Sequence, residues 1–157
     1  MPAEIVDRLR AELASEGREV TLAQDMPVVT VPPTAVRETA RQLAVDHAFD
    51  LLLDVTAIDW PGRTPRFDVV YHFYSTKHLI RVRLKTRVPE AEPVVDSLRS
   101  LYGSAAFMER ECHEMYGIVF RGNMDLRPIL LYEGFVGHPL RKDYPKQQEQ
   151  PLVPYRK

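Results

Sequence analysis

The densest chemistry in this chain lies in ERECHEMYG, Glu109 to Gly117, where three glutamates, an arginine, a histidine and the only cysteine occupy six consecutive residues. Such a set could hold a metal, form a thiol nucleophile or make ion pairs, and helical geometry separates these options. A helix from about Ala105 to Tyr116, with Gly117 as its cap, puts Ala105, Met108, Cys112, Met115 and Tyr116 on one side. Cys112 is then expected in the core as a small hydrophobe. Glu109 and His113, and likewise Arg110 and Glu114, stand four apart and are expected to pair on the helix surface. Adjacent residues point to different sides, and the two-histidine spacing H-E-x-x-H is absent, so no metal site is expected. Glu111 differs, because it falls at the edge of the apolar stripe between Phe107 and Met115, where an unpaired carboxylate would be very costly. Arg127 and Arg141 in the C-terminal tail are candidate partners, and the expectation is that Glu111 fastens the tail to the domain.

A pair of Cys112 and His138 would be the other way to build a nucleophile, in a free-standing thiol hydrolase. The expected burial of Cys112 argues against that reading. No G-x-G-x-x-G, G-x-x-x-x-G-K-[ST] or G-x-S-x-G occurs, so neither a common nucleotide cradle nor a nucleophile elbow can be placed. One cysteine allows no internal disulfide, no four-thiolate iron–sulfur cluster and no thiol-rich zinc site. No catalytic, cofactor-binding or metal-binding residue is therefore expected in this chain.

The elements that must position these residues follow from periodicity. With 157 residues, 45% of them hydrophobic, the chain suits one domain with a proper core. Its 21 basic and 22 acidic side chains nearly cancel, which gives no sign of nucleic acid or anionic lipid as a partner. No apolar run approaches the roughly 20 residues that span a bilayer, and MPAEIVDRLR lacks a signal-peptide core, so a cytoplasmic or peripherally attached protein is expected. Ile5, Leu9 and Leu13 mark a first helix over Pro2 to Glu16, capped at Gly17. A short strand at Val28 to Val31 is ended by Pro32 and Pro33, and Val36, Ala40, Leu43, Ala44 and His47 mark a second helix. LLLDVTAIDW, Leu51 to Trp60, reads as a strand covered on both faces. FDVVYHFYS and HLIRVRLKTR form a hairpin turning at Ser75 to Lys77. In its second arm Arg81, Arg83, Lys85 and Arg87 alternate with Ile80, Val82, Leu84 and Thr86. This basic row could bind phosphate, but without interleaved aromatic residues it reads as a solvated or partner-facing sheet surface. Val94, Val95, Leu98 and Leu101 suggest a helix over Glu92 to Tyr102. Together these give an α+β fold: one domain over residues 1–120 with a mixed sheet and packed helices, then an extended arm over residues 121–157.

The arm carries five prolines but also Ile129, Leu130, Leu131, Tyr132, Phe135, Val136, Leu140 and Tyr144, which disordered segments lack and which need a surface to cover them. It is expected to order mainly on another chain. ERECHEMYGIVF, the following DLRPILL from Asp125 and above all GHPLRKDYP, Gly137 to Pro145, resemble the signature of the C-subunit family of proton-pumping NADH-quinone oxidoreductase, respiratory complex I. The likeness extends back to about Phe49. His113 and Glu114 stand where that family commonly has an aromatic residue and an aspartate, and Pro128 replaces a second arginine after Arg127. The resemblance implies a peripheral-arm subunit that supports assembly of the complex and packs against the large D subunit. It also implies that FMN and iron–sulfur clusters lie in partner subunits, and that the chain is peripheral on the cytoplasmic side of the cell inner membrane. The motif residues it marks for docking are Glu109, Arg110, Glu111, Gly117, Asp125, Arg127, Gly137, His138, Pro139, Arg141, Lys142 and Asp143. Membrane-bound hydrogenase-type and ferredoxin-dependent relatives carry homologous subunits and form the alternative branch.

Overall fold

The computed structural model describes residues 2–13, 18–23, 26–147 and 150. Helix α1 (Pro2–Leu13) precedes strands β1 (Glu19–Ala23) and β2 (Met26–Val31), a short 3-10 turn at Pro33–Ala35, helix α2 (Val36–Val45) and strand β3 (Leu51–Asp59). Strands β4 (Phe67–Ser75) and β5 (Ile80–Val88), the short β6 (Val94–Asp96), helix α3 (Ala105–Tyr116) and β7 (Val119–Arg121) complete the regular structure. The expected Gly17 cap lies outside the described residues.

The main sheet has the order β1-β2-β5-β4-β3 and is mixed, as expected: β2 runs parallel to β5, and every other pair is antiparallel. Alternation decides which side is buried. Val82, Leu84 and Thr86 of β5 face inward with Phe67, Val69, Tyr71 and Phe73 of β4. On that face α1 contributes Leu9 and Leu13, α2 contributes Val36, Ala40 and Leu43, and α3 contributes Ala105 and Cys112. Placing β5 in the middle explains why its apolar side chains are so fully buried.

Two expectations fail for identifiable reasons. β3 is an edge strand, not one covered on both faces: Leu52, Val55 and Ala57 are buried, while Leu51, Leu53 and Ile58 are exposed. An apolar run does not by itself distinguish a doubly covered strand from an edge. The helix expected over Glu92 to Tyr102 is absent. Val94–Asp96 pairs with β7 instead, in parallel, which suits two β-branched residues following Pro93. Beyond it the amides of Leu101 and Tyr102 both donate to the Leu98 carbonyl, a turn that keeps Leu98 in the core at helix-like spacing. The hairpin is as expected, with its turn shifted to residues 76–79.

The β6–β7 pair is small, and Phe120 ties it to the main core at 1% exposure. Phe120→Ala is expected to cost about 3–5 kcal/mol, seen as a lower denaturant midpoint with an unchanged m-value. A loss below about 1 kcal/mol would mean that the second sheet is not coupled to the core.

Candidate functional site

Helix α3 runs over the residues expected and ends at Gly117, whose φ of 78° closes the last turn in the left-handed conformation. It packs on β3. Cys112 is buried there, and desolvation pushes its thiol well above the ordinary range, so it is not the thiolate a hydrolase needs. His138, the base of that alternative reading, donates from Nδ1 to the Glu114 carbonyl at 2.9 Å.

The surface pairs expected along α3 do not form. Glu109 is fully buried and accepts from Ser97 Oγ at 2.7 Å, the Leu98 amide at 2.7 Å and Asn123 Nδ2 at 2.9 Å. Burial raises its pKa against these donors, which favour the anion. His113 donates to the Ile118 carbonyl instead of meeting Glu109. Arg110 turns to the arm and donates to the carbonyls of Arg127 at 3.0 Å and Pro128 at 2.9 Å, with the Asp125 carboxylate 3.5 Å away.

The fastening role expected of Glu111 belongs to Glu114. Glu111 is exposed, whereas the Glu114 carboxylate accepts three successive backbone amides of the arm, Ile129 at 3.2 Å and Leu130 and Leu131 at 2.9 Å. An irregular segment must place its amides somewhere, and one carboxylate with several lone pairs takes all three. Arg127 does not reach α3 with its side chain. It forms a two-pronged pair with Asp125 on the surface, which holds the Asp125 carboxyl well below the usual range.

GHPLRKDYP supplies the second anchor. The last carbonyls of a helix lack intrahelical partners, and here the arm serves them in order: His138 for Glu114, the Leu140 amide for Met115 at 3.1 Å, and Arg141 Nε for Tyr116 at 2.6 Å. Arg141 also lies over the Phe67 ring at 5.0 Å, so its partners are a carbonyl and a ring, not the carboxylate of Glu111. A cation there also suits the negative end of the helix. Gly117 makes this approach possible, because a Cβ would stand 2.6 Å from both Arg141 Nη2 and His138 Nε2. Pro139 is half-buried between these anchors, and Gly137 has a φ of 97° with Tyr144 close beside it.

Further along, the Lys142 amide donates to Asp59 Oδ2 at 2.7 Å, and Asp143 meets Arg66 Nη1 at 3.0 Å. Arg66 grips Asp59 with two hydrogen bonds of 2.7 and 2.8 Å, and the guanidinium, chiefly through these bonds, lowers the Asp59 pKa. Sequence reasoning did not single out Asp59, Arg66 or Asn123. An aspartate on the buried side of the apolar run LLLDVTAID was a readable sign of a paired charge.

The site therefore brings Arg110, Gly117, His138 and Arg141 together along α3 and its C-terminal end, seats Lys142 and Asp143 on Asp59 and Arg66, buries Glu109 separately on Ser97, Leu98 and Asn123, and leaves Glu111 and Arg127 at the surface. It clamps an extended segment whose outer side chains stay bare: Leu130 is 62% exposed, Val136 69% and Leu140 49%.

A family model described as the 30 Kd subunit of respiratory-chain NADH dehydrogenase matches residues 29–150. The C subunit of NADH-quinone oxidoreductase from Paramagnetospirillum magneticum is 53% identical over 131 residues, 82% of this chain and 65% of that protein. The corresponding C subunit of Geotalea uraniireducens is 39% identical over 142 residues, 90% of this chain and 87% of that protein. Among solved structures, the trypsin-resistant fragment (1-134) of Nqo5 matches with a TM-score of 0.71 at 28% identity, covering 78% of this chain and 99% of the fragment. A chain of the membrane-bound sulfane sulfur reductase, an archaeal respiratory membrane complex, matches with a TM-score of 0.78 at 26% identity over 92% of this chain and 86% of its own length.

Exchanging the two glutamates tests which one fastens the arm. Glu114→Gln sets an amide donor against three amide donors and is expected to cost about 2 kcal/mol, with faster proteolysis between residues 124 and 140. Glu111→Gln is expected to stay within about 0.5 kcal/mol of wild type. Glu109 gives a pH signature. Its folded pKa lies above the ordinary value of 4.5, so the fold binds its proton more tightly than the unfolded chain does. Stability from that proton is present at low pH and lost as pH rises from 4.5 through the folded pKa. Wild type should therefore lose stability relative to Glu109→Gln over that rise, as followed by urea unfolding at a series of pH values. A constant difference would contradict the assignment.

Proposed function

Since the chain belongs to the family of the 30 Kd subunit of respiratory-chain NADH dehydrogenase, we propose that it acts as the peripheral-arm C subunit of NADH-quinone oxidoreductase. In this role it supports assembly of the complex that transfers electrons from NADH to quinone and couples this transfer to proton translocation. The carrying observation is the match over residues 29–150, with 53% and 39% identity to relatives bearing that name. Those names on relatives at this level of identity favour the NADH-linked branch over hydrogenase-type or ferredoxin-dependent relatives.

The chain's part in the complex is structural. Redox chemistry lies with FMN and iron–sulfur clusters of partner subunits, and the isolated chain catalyses nothing. The large D subunit is the chief partner, and the attachment is peripheral, on the cytoplasmic side of the cell inner membrane. No helix among the described residues is long and apolar enough to cross a membrane, which suits attachment through the complex. Docking runs through the arm, residues 121–157: among its described residues the inner side is spent on α3, β3 and β4, while Leu130, Val136 and Leu140 point away from the domain and need cover.

Truncation after Gly134 tests this reading. It removes the contacts of His138, Arg141, Lys142 and Asp143 but spares the core, so cooperative unfolding is expected at a lower Tm. The intact chain, tagged in its host, should bring down the other subunits of the complex, and the truncated chain should not. Equal recovery by both would remove the arm from docking.

A further inference from the structure

Arg81, Arg83, Lys85 and Arg87 leave β5 on the side opposite Val82, Leu84 and Thr86. β5 is the middle strand of five, so these cations form a ridge down the centre of that sheet face. Leu9 and Leu13 of α1, Val36, Ala40 and Leu43 of α2, and Ala105 and Cys112 of α3 join the cluster on the other face, and among the described residues no helix covers this one. Val28 and Val70 belong to the basic face by register, opposite Arg83 and Lys85. They are 6% and 3% exposed yet stand outside that core cluster, shielded by the stems of the long side chains around them.

One buried carboxylate organises the ridge. Asp68 accepts from the Arg63 guanidinium and from Trp60 Nε1 at 3.1 Å, and has Lys85 Nζ at 3.3 Å and Arg87 Nε at 3.8 Å. Three cations share one anion, which leaves an excess of two positive charges in a chain whose net charge is -1. The other acids of this face, Glu19 and Asp54, lie on the outer strands β1 and β3. Arg81 and Arg87 remain exposed. A small anion such as phosphate needs converging donors, whereas these cations are strung along a strand at intervals of about 6.6 Å. Lys85 and Arg63 are already held in place, so a ligand would not bear the cost of ordering them.

We propose that this face seats an extended acidic segment of a neighbouring subunit in the assembled complex, an inference that rests on the function proposed above. Carboxylates at alternate positions of such a segment match the spacing of the ridge.

Lys85 is the one amine in the row, and carbodiimide joins an amine directly to a carboxylate it touches. In complex purified through a tag on the full-length chain, carbodiimide treatment and mass spectrometry should find Lys85 joined to an aspartate or glutamate of another subunit. The double variant Arg81→Glu/Arg87→Gln, which puts no second carboxylate opposite Asp68, should retain partner subunits roughly tenfold less well at about 0.15 M salt, with cooperative unfolding kept. Arg81→Lys/Arg87→Lys should retain them. If the wild-type chain brings down no other subunit, the proposed function fails. If it brings down the full set, yet Lys85 joins only its own chain and Arg81→Glu/Arg87→Gln loses nothing, the acidic seat alone is overturned. Release of the ridge's ligand by nuclease would overturn it as well, by showing a nucleic acid there.

Discussion

The carboxylate of Glu114 accepts the amides of Ile129, Leu130 and Leu131, and the three residues that close α3 offer their carbonyls to His138, Leu140 and Arg141. The path of the described residues from Ile129 to Arg141 depends on this exchange. A segment with neither helix nor strand carries as many backbone donors and acceptors as any other, and close to a protein surface they need partners. A helix end has the complementary deficit, with unpaired carbonyls and a partial negative charge. Laying the arm across the end of α3 satisfies both, and Gly117 permits the close approach that a larger residue would block.

Charge pairing then fixes the direction in which the arm continues. Arg66 is buried between Asp59 and Asp143, and the Lys142 amide completes the hydrogen bonding of Asp59. Arg66 and Asp59 stay paired without the arm and Asp143 is exposed, so the contacts of Lys142 and Asp143 add little net stability but select one path for the chain. They act as a register. An arm held by its polar groups is free to turn Leu130, Val136 and Leu140 outward, where they stay exposed.

The sheet divides labour in a similar way. Its helix-covered face supplies the core, and the opposite face is kept in water by charge. Asp68 holds Arg63 and Lys85 in place there, with Arg87 close by, so that part of the basic row is anchored without a helix above it.

What the sequence determined by itself was whatever depends on local periodicity. The alternation of β5, the apolar stripe and glycine stop of α3, the hairpin and the burial of Cys112 are all written within a dozen residues and appear as expected. The clustering of motif residues in ERECHEMYG and GHPLRKDYP was legible as well, as a signature. Only the tertiary structure decided which of those residues work together. Glu111 and Glu114 are both glutamates on one helix, and the choice between them depends on where the amides of residues 129–131 arrive, which no helical wheel contains. Glu109 looked like a surface partner of His113 because Ser97, Leu98 and Asn123, which bury it, lie outside the helix on either side and are brought to it only by the fold. The missing helix over residues 92–102 has the same cause: β7, a strand some 25 residues away, offers Val94–Asp96 a partner, and pairing between distant segments outweighs local preference.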